Sequence, residues 1–125
     1  LVRYSLLNGY EAEKFADCVC ECGICDFGLL IDDNVGAAAR ICHKCDSDHG
    51  IGDSDDYIDE AEPWKCTCHC GAELFEITIG VALYEGTEDV RWLYVGCRCP
   101  KCQLTGCYGD WKNEFTGYQS LLANV

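Results

Sequence analysis

Phe75, Ile77, Ile79, Val81 and Leu83 alternate with Glu76, Thr78, Gly80, Ala82 and Tyr84. A period of two predicts a β-strand that buries one face. The acidic and glycine-bearing stretch at 85–89 predicts a turn, and the apolar run 90–97 a returning strand. Residues 107–112 predict a third. A shorter version of the same pattern comes earlier, with apolar runs at 27–31 and 37–42 turned at 32–36. Outside the strands the periodicity becomes helical but weak. Asn8 is a candidate cap for a short helix through 13–16. Ser54 caps a second over 54–62 with Tyr57, Ile58 and Ala61 on one face, ended by Pro63, and 116–125 predicts a terminal helix with Tyr118, Leu121 and Leu122 inward.

Between the apolar runs the chain repeats itself. Cys18, Cys20, Cys22 and Gly23 match Cys66, Cys68, Cys70 and Gly71 at an offset of 48, and Phe27 matches Phe75. Cys42 and Cys45 match Cys99 and Cys102 at an offset of 57, and that register continues from Gly52-Asp53 to Gly109-Asp110. The two offsets differ by the length of a longer hairpin in the second copy, so one supersecondary unit has been duplicated. The expected architecture is mainly β: two small metal-stabilised β-hairpin units with short flanking helices, at 1–62 and 63–125, the first closed by an acidic linker.

Composition changes the picture in one respect. At 125 residues with 13 cysteines, two such units would each be marginal on burial alone and need a staple. The cysteine count is odd, the cysteines fall in tight C-x-C and C-x-x-C pairs, and no secretory leader pattern is visible. These features favour reduced thiols holding metal in a cytoplasmic protein over a disulfide framework.

Spacing narrows the ligands. Zn–S bonds of about 2.3 Å place ligand sulfurs about 3.8 Å apart, whereas residues i and i+2 of a straight strand lie about 6.7 Å apart. A C-x-C pair therefore shares an ion only where the chain turns, and Gly23 and Gly71 permit turns beside the second and third cysteine of each cluster. The expected sites are Cys20, Cys22, Cys42 and Cys45, and Cys68, Cys70, Cys99 and Cys102, with Cys18 and Cys66 as substitutes. Cys25, Cys97 and Cys107 remain. They fit small buried hydrophobes better than a third site from Cys18, Cys66, Cys97 and Cys107.

The C-x-C-G…C-x-x-C arrangement around a hairpin resembles the zinc-ribbon family over residues 18–53 and 66–112. The resemblance implies one structural Zn²⁺ per unit. Ribbons commonly carry C-x-x-C in both knuckles, and here the first is C-x-C. Rubredoxins are similar in pattern, with iron in place of zinc and glycine after each pair, where Asp46 and Gln103 stand here.

Charge bears on partners. Formal net charge is −13, and fifteen of the 22 acidic side chains lie in residues 1–62 against four Lys/Arg. Nucleic-acid binding needs basic side chains facing phosphates, so it is not expected, and no apolar run reaches membrane-span length. The face expected to bind a partner is the acidic stretch 46–62 with adjoining aromatics, directed at a basic protein surface in an adaptor or immunity role. Electron transfer through iron is the alternative. A metal-dependent enzyme using a three-ligand site with His69 or His49 nearby, the latter among Asp46, Asp48, Asp53, Asp55 and Asp56, is a further one. An enzyme is less expected, since no nucleophile–base pair or phosphate loop is present, and His43 and His69 sit between cluster cysteines, pointing outward. Trp64, Trp92, Trp111, Tyr94 and Tyr108 are expected in the core or on strand faces, or in part as an exposed patch.

Overall fold

The computed structural model describes residues 1–125. The alternating run forms β6 (Phe75–Leu83), which turns into β7 (Val90–Arg98) and then β8 (Thr105–Phe115). The shorter copy forms β2 (Asp26–Asp32), β3 (Ala37–Cys42) and β4 (Asp48–Gly50). Both are antiparallel meanders. The duplication holds residue by residue. Gly28↔Ile41, Leu29↔Arg40 and Leu30↔Ala39 become Glu76↔Arg98, Ile77↔Cys97 and Thr78↔Gly96 on adding the two offsets. The third strand follows, since Arg40↔His49 maps onto Cys97↔Gly106. β8 runs past the expected 107–112 at both ends, because β7 offers it partners from Arg98 to Val90.

The copies do not stand side by side as separate hairpins. β1 (Lys14–Asp17), which leads into the first copy, pairs with β6 of the second. β5 (Trp64–Lys65), which leads into the second, pairs with β2 of the first. The registers Ala16↔Ile79 and Trp64↔Ile31 are equivalent. So are the bonds that follow: the Cys18 N–H donates to Ile77 O and the Cys66 N–H to Leu29 O, each at 2.9 Å. The hairpins themselves meet only at Asp26↔Glu76 and Phe27↔Phe75. Phe27 and Phe75 occupy the same position in the repeat, so a local two-fold relation passes between them. Eight strands thus share one sheet, along the path β4-β3-β2-β6-β7-β8 with β1 and β5 filling the remaining edges.

The inner faces of the two meanders bury Phe27, Leu29, Ile31, Phe75, Ile77, Ile79, Val81, Leu93 and Val95 in one core. Glycines bring the meanders together. A Cβ on Gly109 would lie 3.1 Å from Ile31, and one on Gly36 would lie 2.9 Å from the Trp111 ring. Gly36 also has φ 83°. Gly36→Ala is therefore expected to cost about 2 kcal/mol, from left-handed strain and crowding of Trp111, read as a lower denaturant midpoint at unchanged slope.

On the other face of the second meander lie Gly80, Ala82, Trp92 and Tyr94. Helix α1 (Val2–Asn8) and the segment after it cover this face. Leu1 fills the space above Gly80 and Gly96, Tyr10 stacks on Trp92 at 4.9 Å, and the Tyr94 hydroxyl donates to Tyr10 O at 2.6 Å. This corrects the expectation of a helix from Asn8 through 13–16. The helix runs up to Asn8 instead of starting there, and Gly9 caps its end at φ 87°. Residues 14–17 are strand because the β6 edge beyond Thr78 offers a ladder, which a few weakly helical residues gain more by joining than by coiling. The helix expected over 54–62 is likewise two single 3₁₀ turns, Ser54–Asp56 and Ile58–Glu60. Ser54 does not cap. It is fully buried, donates to Ile51 O and accepts from the Ala38 N–H, tying this segment to β3. The terminal helix is short, α2 (Tyr118–Leu122), with Leu121 buried. No helix is long and apolar enough to cross a membrane.

Candidate metal centres

Each cluster is assembled by two tight turns. In the first, the chain leaves β1 and folds so that the Cys20 N–H donates to Ile24 O and the Gly23 N–H to Cys20 O, with Gly23 at φ 93°. Cys68, Ala72 and Gly71 repeat this, Gly71 at φ 90°. The second turn joins β3 to β4 through Cys42 and Cys45, and β7 to β8 through Cys99 and Cys102. It closes by Asp46 N–H to Cys42 O and Gln103 N–H to Cys99 O. Asp46 and Gln103 take φ 58° and 64°. Both therefore adopt a left-handed backbone that glycine takes most easily.

These turns gather the eight expected cysteines into two groups of four, Cys20, Cys22, Cys42 and Cys45, and Cys68, Cys70, Cys99 and Cys102. Within each group all the sulfurs lie within 4.8 Å of one another. The close pairs are Cys20–Cys45 at 3.7 Å, Cys22–Cys42 at 3.5 Å, Cys68–Cys102 at 3.5 Å and Cys70–Cys99 at 3.6 Å. That is near the sulfur separation of about 3.8 Å set by a tetrahedral thiolate site. In each group two members are buried and two exposed, so one side is anchored in the core and the other meets solvent.

The thiols differ in acidity. The backbone N–H of Cys22 and neighbouring sulfurs draw Cys20 down to about 6, and the N–H groups of Cys102 and Lys101 do the same for Cys99. Cys22 accepts the Ile24 N–H, which lowers it, but the sulfurs of Cys20 and Cys42 outweigh that and push it up to about 11. Cys102 accepts the Leu104 N–H, and Cys68 then drives it up to about 12. Four thiolates cannot crowd together without a cation, so some hold protons. A divalent ion displaces those protons.

The other cysteines lie outside these groups. Burial pushes Cys18 up to about 12, Cys66 and Cys107 to about 11, and Cys97 higher still. Cys18, Cys66, Cys97 and Cys107 form no third metal-capable group. Cys25 alone among the five is exposed. A native chain with both clusters metal-loaded is therefore expected to take one alkyl group quickly, at Cys25, with the thiols of high pKa reacting only on unfolding. Peptide mapping after a short iodoacetamide pulse checks this.

The histidines stay apart from the sulfurs. His43 pairs with Asp26 at 3.1 Å on the surface, and His49 bonds Asn124 O at 2.9 Å. His69 is exposed. The carboxylates around His49 form no metal-capable group with it. Trp111 and Tyr94 are core, Trp92 and Tyr108 are half-buried, and Trp64 is exposed. Sequence reasoning missed two neighbours of the clusters. The Ser47 hydroxyl lies 3.0 Å from the Cys45 sulfur, and Tyr108 lies beside Cys68 with its ring edge-on to Phe75 and its hydroxyl pushed up to about 12 by burial and the nearby cysteines. The spacing of Ser47, two residues past Cys45, was a usable signal. Tyr108 is near in space only and left none.

The chain is thus a mainly β protein with two four-cysteine clusters suited to one metal ion each. It matches no protein-family model, no curated protein and no solved structure.

Proposed function

We propose that this protein is a zinc-ribbon-like binding protein, in which two structural Zn²⁺ ions hold a scaffold that presents an acidic face to a basic protein partner. The observation that carries the metal half is the pair of four-sulfur clusters at tetrahedral spacing. Four-thiolate sites fill the coordination sphere and leave no position for substrate or water, which suits structure rather than catalysis. The interaction half rests on segment 55–64. Ile51 and Ser54 anchor its start in the core. Beyond them Asp55, Asp56, Asp59, Glu60 and Glu62 are exposed, interleaved with Tyr57, Ile58 and Trp64. Large apolar side chains set among carboxylates give a partner both desolvated anchors and charge complementarity. A cytoplasmic location fits the reduced thiols.

The test has two parts. Metal analysis of purified protein is expected to give two zinc per chain. A partner captured by the intact protein is expected to be lost on combining Asp59→Lys with Glu60→Lys, at unchanged metal content. Capture indifferent to that reversal overturns the acidic face. A second reading, iron electron transfer, is supported by the same four-sulfur clusters, which suit iron as well as zinc, and by the positive φ of Asp46 and Gln103 at the positions where the rubredoxin pattern has glycine. Visible absorption bands in the purified protein decide for it, since Zn²⁺ is colourless and redox-silent.

A further inference from the structure

The two clusters share a plan but not their surroundings. Beside the first lies a cavity of about 830 Å³ lined by Cys20, Cys22 and Cys45, three of its four cysteines. Its walls also carry Asp17, Glu21 and Asp48. The one arginine there, Arg40, is 7% exposed and is held by the carbonyls of Val125 and Val19, with its guanidinium over the Phe27 ring. Three acidic residues and three cluster cysteines therefore line this space against one tethered arginine. The second cluster has a different neighbour. Tyr108 lies beside Cys68, its ring edge-on against Phe75 at 5.0 Å. The equivalent residue of the first copy is Ile51, which is fully buried and has no group to reach its cluster.

A negatively lined concavity focuses cations toward its floor. Here the floor is a set of soft donors that select thiophilic divalent ions. From this we infer that the first cluster is an exchangeable metal site, fed and emptied through the cavity, while the second holds its ion permanently. The inference rests on the metal-binding reading and extends it: the repeat keeps one copy as a staple and opens the other to metal traffic. In each exchange step one metal–sulfur bond is replaced by a bond to the incoming chelator, and freed thiolates take up protons from water. No electron is transferred.

The test uses the full chain reconstituted with Zn²⁺ alone, with two bound ions verified by native mass spectrometry before challenge by a pyridylazo-resorcinol chelator. One equivalent is expected to leave in a distinct fast phase, with alkylation mapped during that phase to Cys20, Cys22, Cys42 and Cys45. Glu21→Gln combined with Asp48→Asn, which leaves all ligands in place, is expected to slow Zn²⁺ uptake at low ionic strength and to matter little at high salt. Two bound ions leaving in one phase, labelling that starts at the second cluster, or uptake indifferent to the double variant overturns the inference and leaves the metal reading standing. A chain that takes up no metal overturns the reading beneath it.

Discussion

Stripping both ions with excess chelator is expected to unfold the whole chain in one cooperative transition. Structural zinc in small domains contributes about 10–16 kcal/mol of apparent binding free energy, while a domain of this size has only about 5–15 kcal/mol of net stability. The ions then decide whether the folded state is populated. The geometry sharpens this. Each cluster ties the end of a lead-in strand to the base of a hairpin, so loss of both ions frees β1, β5 and both knuckles at once. Trp111, 6% exposed, reports the change through a red-shifted emission, and re-addition of Zn²⁺ is expected to restore it. Acid acts in the same direction. Metal holds every ligand as thiolate, below its ordinary thiol pKa, so that stability is present at high pH and lost as pH falls and protons compete for sulfur. A demetallated chain that keeps buried Trp111 emission would refute the expectation.

The second large effect is expected from Phe75→Ala, at about 3–5 kcal/mol. Phe75 is fully buried, faces Phe27 across the only direct pairing of the two hairpins, and packs edge-on with Tyr108 at 5.0 Å. Removing the ring opens a cavity where neither copy can relax without parting from the other, and also withdraws the support of Tyr108 beside Cys68. Denaturant unfolding of the metal-loaded protein measures it. A loss below about 1 kcal/mol, the scale of a well-tolerated core swap, would show that the repeats are held together elsewhere.

Much of this was legible in the sequence, for identifiable reasons. The 75–83 strand declared itself because one of its faces is buried and the alternation is strict. The cluster cysteines were legible because C-x-C-G and C-x-x-C encode turns as well as ligands. The duplication supplied the rest, since a pattern seen twice with a length change is hard to produce otherwise. What escaped was non-local. Residues 14–17 carry no strand signal of their own and become strand only because β6 leaves an edge open. Residues 54–60 have helical spacing, yet Ser54 is drawn inward to serve Ala38 and Ile51. No single-copy reading could reveal which hairpin each lead-in strand would join.

That last feature reaches beyond stability. The exchanged lead-in strands make the chain a dimer written in one piece, in which each half completes the sheet of the other. The peptide link at the exposed Pro63 then serves mainly to raise the local concentration of one half around the other. A cut there would leave two fragments that neither fold alone nor part readily: mixed in the presence of metal, they would reassemble as partners, each finishing the other's architecture.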